Sequence, residues 1–145
     1  MKLSSRSRYG FRAVLELGLG YGNGPLQIKT IAEHQEISNK YLEQLIAMLK
    51  SAGLVSSIRG PKGGYLLTRA PNQMKLSDIF IALEGHPVAV ECLDHPDFCP
   101  RCPDCTTRQL WYEIQNAVMN VLETQNLQDL VDRARGAEKR SNYQI

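Results

Sequence analysis

The chain has 145 residues, enough for one ordinary domain or a small domain with an appendage and too few for a multidomain enzyme. With 43% hydrophobic and 22% charged residues, 11 Gly and 7 Pro, the composition excludes a disordered or collagen-like chain and predicts a buried core. The net charge of +2 is unevenly divided: residues 1–69 carry ten Lys or Arg against four Glu, a net +6, and residues 70–145 carry seven against eleven acidic residues, a net −4. A basic half is the footprint expected of nucleic-acid binding, because cations that neutralise phosphates release condensed counterions.

No run approaches the roughly 18 apolar residues that a membrane span needs. The best stretch, 13–19, is broken by Glu16 and carries no signal-peptide cleavage pattern. A cytoplasmic protein without a membrane partner is therefore expected. In that compartment thiols are kept reduced, and clustered cysteines bind metal more often than they form structural disulfides.

Residues 8–19 have the apolar spacing of a helix covered on two sides, and Gly20 to Pro25 read as a turn. A short helix is expected over 28–34. Ser38 then caps a longer one over 39–52, in which Leu42, Leu45, Ile46 and Leu49 share a face and Gly53 marks the stop. Two helices so joined form a helix-turn-helix. Strands over 54–58 and 65–68 flank Arg59-Gly60-Pro61-Lys62-Gly63-Gly64, a β-hairpin with a basic, glycine-rich tip. A helix-turn-helix followed by such a hairpin is the element order of a winged helix.

Further on, Ser77 is expected to cap a helix over 78–84. After the cysteine segment, a long helix over 107–124 presents Leu110, Ile114, Ala117 and Val121, widened by Trp111, Val118 and Leu122. A stripe this wide calls for two neighbours: the winged-helix body and the same helix of a second subunit, since a two-fold contact suits a self-complementary face. A short helix over 127–135 and a polar, mobile tail over 136–145 complete the chain.

If the second helix of the motif enters a major groove, its first turn and exposed face meet the bases. Ser38, Asn39, Lys40, Glu43 and Gln44 stand there: Gln pairs with adenine through two hydrogen bonds, Glu accepts from cytosine N4, and Ser and Lys fix phosphates or bases. At the hairpin tip Arg59 and Lys62 suit a narrow minor groove. A phosphate-binding P-loop is dismissed, because Gly63-Gly64 leads into a strand and not a helix.

The remaining chemistry is in ECLDHPDFCPRCPDC, where all four cysteines, Cys92, Cys99, Cys102 and Cys105, fall within fourteen residues. Thiolates concentrated on a proline-rich loop suit a soft-metal site, either zinc or an iron–sulfur cluster; a redox disulfide pair is the other reading. Asp94, His95, Asp97, Asp104 and Arg108 are candidate outer-shell groups. An electron-transfer protein or enzyme is disfavoured: there is no nucleotide fingerprint and no paired acid–base constellation.

The segments YLEQL at 41–45, GLVSSIRGPKGGYLL at 53–67, and the cysteine loop running into a helix with Leu110-Trp111 resemble the IscR-type iron–sulfur cluster regulators. These form part of the Rrf-two superfamily of bacterial winged-helix transcription factors, and the likeness runs from Met1 to about Val131. The resemblance implies a homodimer that binds a palindromic operator in double-stranded DNA, with a long helix from each subunit crossing its partner. Glu43 and Gln44 match recognition-helix positions of that family, Arg59 its wing arginine, and Cys92, Cys99 and Cys105 the three cysteines that hold the cluster. Where the family has a histidine ligand, three residues before Trp111, this chain has Arg108, which stays protonated and cannot ligate. Cys102 is the replacement.

The expected architecture is mainly α with a small β-hairpin wing. It comprises a winged helix-turn-helix domain over 1–85, a cysteine-rich cluster-binding loop over 86–106, a dimerisation helix region over 107–135 and the tail. The expected function is that of a non-enzymatic DNA-binding regulator that senses redox, iron or iron–sulfur status. Its loop is expected to hold an iron–sulfur cluster, 2Fe-2S ahead of 4Fe-4S, with zinc or a thiol–disulfide switch as the alternative.

Overall fold

The structure, a computed structural model, describes residues 1–143. Helix α1 spans Ser5–Leu19, three residues longer at its start than its apolar pattern suggests, because the Ser4 hydroxyl accepts from the Ser7 amide at 3.3 Å and caps it. It buries Ala13, Val14 and Leu17, and two glycines allow close approach of other helices. A Cβ on Gly10 would stand 2.4 Å from Leu83, and one on Gly18 would stand 2.9 Å from Val131.

Helix α2 (Ile28–Gln35) and helix α3 (Asn39–Ser51) form the helix-turn-helix. The connection turns at Glu36, whose φ of 53° lies in the left-handed region. Ser38 caps α3 as expected, accepting from the Tyr41 amide at 3.2 Å. Leu42, Leu45, Ile46 and Leu49 are almost wholly buried, and each such aliphatic side chain removed from water stabilises the fold by about 1.5–3 kcal/mol.

Strands β1 (Val55–Ile58) and β2 (Gly64–Leu67) pair antiparallel, from Val55 with Leu67 to Ile58 with Gly64. A third segment joins them: Leu26 pairs with Tyr65, each donating to the other's carbonyl, at 3.0 and 2.7 Å. The wing is thereby sewn to the residues preceding α2.

Helix α4 (Leu76–Glu84) corrects one expectation. Ser77 is buried inside its first turn and does not cap it; Lys75 occupies the cap position with no side-chain bond. The cause is non-local. Lys75 forms a β-bridge with Asn126, and the flanking bonds, Leu76 N–H to Gln125 and Leu127 N–H to Met74, fix where the helix starts.

Helix α5 (Thr106–Thr124) has no fully buried residue. Trp111, Val118 and Leu122 are half-buried, with Leu122 against the core, whereas Leu110, Ile114 and Val121 are 48%, 39% and 53% exposed. The apolar stripe is thus split into a covered and an open side. Helix α6 (Leu127–Tyr143) returns to the body, burying Leu127 and Val131 in the core that α1, α3 and α4 share. Its start is a reciprocal cap, Asn126 N–H to the Asp129 carboxylate at 2.9 Å and Asp129 N–H to the Asn126 side chain at 3.1 Å. α6 continues through Gly136 to Tyr143 where the sequence reading ends it at Arg135. Ala137, Glu138, Lys139 and Arg140 are good helix formers, and one interior glycine costs only about 1 kcal/mol. Residues 144–145 of the expected tail lie outside the described residues. Among the described residues no helix is long and apolar enough to cross a membrane.

Candidate nucleic-acid interface and cysteine loop

The predicted DNA-reading residues all reach solvent. Ser38, Asn39 and Lys40 in the first turn of α3, and Glu43 and Gln44 one turn on, are exposed. The Ser38 oxygen is engaged with the Tyr41 amide, which leaves its hydroxyl proton free to donate. Tyr41, to which the sequence pattern assigns no role of its own, holds this turn: its hydroxyl meets Ser5 Oγ at 3.1 Å, and its ring packs edge-on against Tyr9 at 6.0 Å. The Tyr9 ring in turn carries the Arg8 and Arg12 guanidinium groups at 5.8 and 5.2 Å. Arg12 also donates to the Gln35 side chain at 2.8 Å and to the Gln35 carbonyl, tying α1 to the end of α2.

Arg59 and Lys62 are exposed at the wing tip. The tip needs its glycines: Gly60 has φ 111°, and a Cβ on Gly63 would stand 2.0 Å from the Ile58 carbonyl oxygen. Two side-chain bonds anchor the wing, Lys50 Nζ to Ser57 Oγ at 3.0 Å and Gln27 Nε2 to the Pro61 carbonyl at 3.3 Å. Neither was legible from local pattern.

The cysteine loop is a chain of three short 3-10 turns, Glu91–Leu93, Pro96–Phe98 and Cys102–Asp104, leading into α5. All four cysteines are free and half-buried. Cys102 lies over the Cys92 carbonyl, 3.9 Å from its sulfur, and the Cys102 amide donates to Cys99 at 3.1 Å. Partial burial, then the neighbouring Cys92 and Cys99, push the Cys102 thiol up from its ordinary value, with the Arg108 guanidinium opposing the rise. Cys105 sits at the cap position of α5. A bond to the Thr107 hydroxyl at 3.3 Å, then one from the Arg108 amide, pull its thiol down.

Cys102 thus lies near Cys92 and Cys99, while Cys105 is held at the cap of α5. Among the described residues no three His, Cys, Asp or Glu side chains converge in metal-holding geometry. The donor set nevertheless suits a soft metal, being four thiols free of disulfides on a loop that leaves each sulfur partly open. Of the candidate outer-shell groups, Arg108 touches the loop, giving two N–H groups to the Cys92 carbonyl; Asp94, His95, Asp97 and Asp104 point into solvent as exposed residues. Beside the loop, a cavity of about 490 Å3 lies between the N-terminal residues, the end of α4 and α5, with Leu3, Phe80, Glu84, Trp111, Ile114 and Val118 in its wall.

A winged helix-turn-helix with a long, half-open helix and a cysteine loop at its head defines a class of transcription regulators. The family model Rrf2, described as "Iron-dependent Transcriptional regulator", matches residues 3–133, and the chain belongs to this family. It is 41% identical over 131 residues to protein rrf2 of Nitratidesulfovibrio vulgaris, covering 90% of this chain and 87% of that one. It is similar over its whole length, at 38% identity, to the HTH-type transcriptional regulator CymR of Bacillus subtilis, which is covered completely. The solved structure of that regulator, the global cysteine regulator of B. subtilis, superposes with a TM-score of 0.77 at 40% identity, covering 92% of this chain and 98% of the other. IscR of T. potens superposes with a TM-score of 0.78 at 36% identity, covering 94% and 90%. The chain is thus a DNA-binding transcription regulator and not an enzyme.

Proposed function

We propose that the chain acts as a homodimer on a palindromic operator and reports redox, iron or iron–sulfur status through a cluster held by Cys92, Cys99, Cys102 and Cys105. The observation that carries this reading is the placement of the four thiols: all four are free and half-buried on the loop that leads into α5, the helix whose Leu110, Ile114 and Val121 stand exposed. Ser38, Asn39, Lys40, Glu43 and Gln44 read the major groove, and Arg59 and Lys62 of the wing grip the adjacent minor groove or its phosphates.

A bound cluster supplies a centre that gains or loses electrons, or falls apart, with the redox and iron conditions of the cell. The chain's own residues do the rest. Cys105, at the first turn of α5, and Cys92, tied to α5 through Arg108, connect loop and helix, so a change in the loop displaces the helix. If α5 joins the two subunits, that displacement resets the distance between the two recognition helices and with it operator affinity. The "iron-dependent" description of the family supports this reading, and the all-thiolate set admits a 2Fe-2S or a 4Fe-4S form.

A second reading keeps DNA binding and makes the loop a zinc site or a thiol–disulfide switch. The closeness of Cys102 to Cys92 favours it, as does the full-length similarity to CymR, the global cysteine regulator of B. subtilis. Anaerobic purification, with an absorption spectrum and iron, sulfide and zinc analysis of one sample, separates the two. A brown protein with matched iron and sulfide supports the cluster. A colourless protein with one zinc, or with four free thiols and no metal after anaerobic reconstitution, refutes it.

A further inference from the structure

We propose that Gln27 is a positioning residue for the wing, a strut that sets the tip bearing Arg59 and Lys62 against the helix-turn-helix. The proposal rests on the reading that these two cations contact DNA.

The contacts around the wing lead to it. The body of the wing is joined to the chain before α2 by the paired main-chain bonds of Leu26 and Tyr65. At Gly64 the two backbones touch, since a Cβ there would stand 2.3 Å from the Leu26 carbonyl oxygen. The residue after Leu26 is therefore delivered to the foot of the tip.

Beyond Tyr65 the tip's main-chain bonding turns inward, with Gly63 N–H donating to the Gly60 carbonyl at 2.9 Å. The Gln27 side chain crosses this gap and donates from Nε2 to the Pro61 carbonyl at 3.3 Å. That carbonyl lies between Arg59 and Lys62 in the chain, and holding it limits the swing of both cations. Finally, Gln27 occupies the N-cap position of α2 yet makes no side-chain capping bond. Ser, Thr, Asp and Asn are the residues that serve a cap, so the amide at this position is free to serve the wing instead.

The test is a double-mutant cycle read by fluorescence anisotropy on a duplex that the wild-type protein selects from random sequence. Gln27→Met keeps the length of the side chain and removes the donor. In the wild-type background it is expected to weaken binding about three- to tenfold, the effect of one lost hydrogen bond, with the thermal midpoint unchanged. In an Arg59→Ala/Lys62→Ala background the same change is expected to cost less than about twofold, because the groups it positions are gone.

Full affinity in Gln27→Met, while the wing variants bind weakly, would overturn the strut and leave the wing reading standing. An equal loss in both backgrounds would make Gln27 a direct DNA contact, and a lowered midpoint would make it a merely structural residue; either overturns positioning. Wing variants that bind as tightly as wild type would remove the wing reading and the strut together.

Discussion

Arg108, in the first turn of α5, donates from Nε and Nη2 to the backbone carbonyl of Cys92, at 3.3 and 3.2 Å. The two residues bracket the cysteine loop, so one guanidinium closes it without a covalent bond and without becoming a ligand. A loop closed in advance has less freedom to lose when thiolates gather on a metal. We predict that Arg108→Ala lowers the affinity of the metal-free protein for cobalt(II), read by sulfur-to-cobalt absorption, by about tenfold or more, as outer-shell removals do. Arg108→Lys, with one point-like donor, should fall between. Unchanged affinity in Arg108→Ala would show that the clasp does not organise the site.

The two shifted thiols predict an order of reactivity. Cys105 is drawn below its ordinary value by Thr107 and the Arg108 amide, so its thiolate persists to lower pH; Cys102 is raised by burial and by Cys92 and Cys99, so its thiolate appears only at higher pH. Since the thiolate is the nucleophile, iodoacetamide at about pH 7 should label Cys105 before Cys102 in reduced, metal-free protein. Raising the pH should narrow the gap. Peptide mass spectrometry over a pH series checks both.

Arg59→Ala should weaken operator binding without altering metal content, because among the described residues no hydrogen bond or ion pair joins the wing to the cysteine loop. Each phosphate neutralised contributes about −0.9 to the slope of log K against log salt. Loss of Arg59 should make that slope shallower by about 1 if the side chain grips a phosphate. An unchanged slope with weaker binding would assign Arg59 to a base edge.

The open side of α5 predicts an assembly. Leu110 and Val121, 48% and 53% exposed, lie on the uncovered stripe. Leu110→Glu combined with Val121→Glu should convert a dimer to monomers in sedimentation velocity while leaving the helical circular-dichroism signal intact. A dimer that survives both changes would place the interface elsewhere.

Of the two glycines of α1 that face other helices, Gly10 has the less room, with the space of a Cβ already taken by Leu83. Gly10→Ala should therefore destabilise the fold by about 1–3 kcal/mol, as overpacking does. A shifted urea midpoint at unchanged slope would register it.

These contacts also show what the sequence carries in readable form. The stripe Leu42, Leu45, Ile46 and Leu49, the cap at Ser38 and the hairpin around Gly60 to Gly64 follow from local rules of period, cap and turn, and the structure repeats them. That the wide stripe of α5 needs two neighbours is likewise legible, but not that Trp111, Val118 and Leu122 are the covered side and Leu110, Ile114 and Val121 the open one. The Asn126–Asp129 cap had the spacing of a capping box and was passed over. Other features had no local signal. The Leu26–Tyr65 and Lys75–Asn126 bridges join segments distant in sequence, and the second of them displaced the expected cap at Ser77. Cysteine spacing places four thiols on one loop, but carries no sign that Cys105 caps α5 or that Arg108 reaches back to Cys92.

The central claim is that the state of the cysteine loop sets operator affinity. It is tested most directly by measuring, anaerobically and at one salt concentration, the binding of cluster-loaded and metal-free protein to the same selected operator. We predict a difference of at least about fivefold, the lower range of allosteric coupling, which Cys99→Ala abolishes by fixing the protein in its metal-free state. Equal affinity of the two forms would contradict the claim, leaving a winged-helix regulator whose signal enters elsewhere.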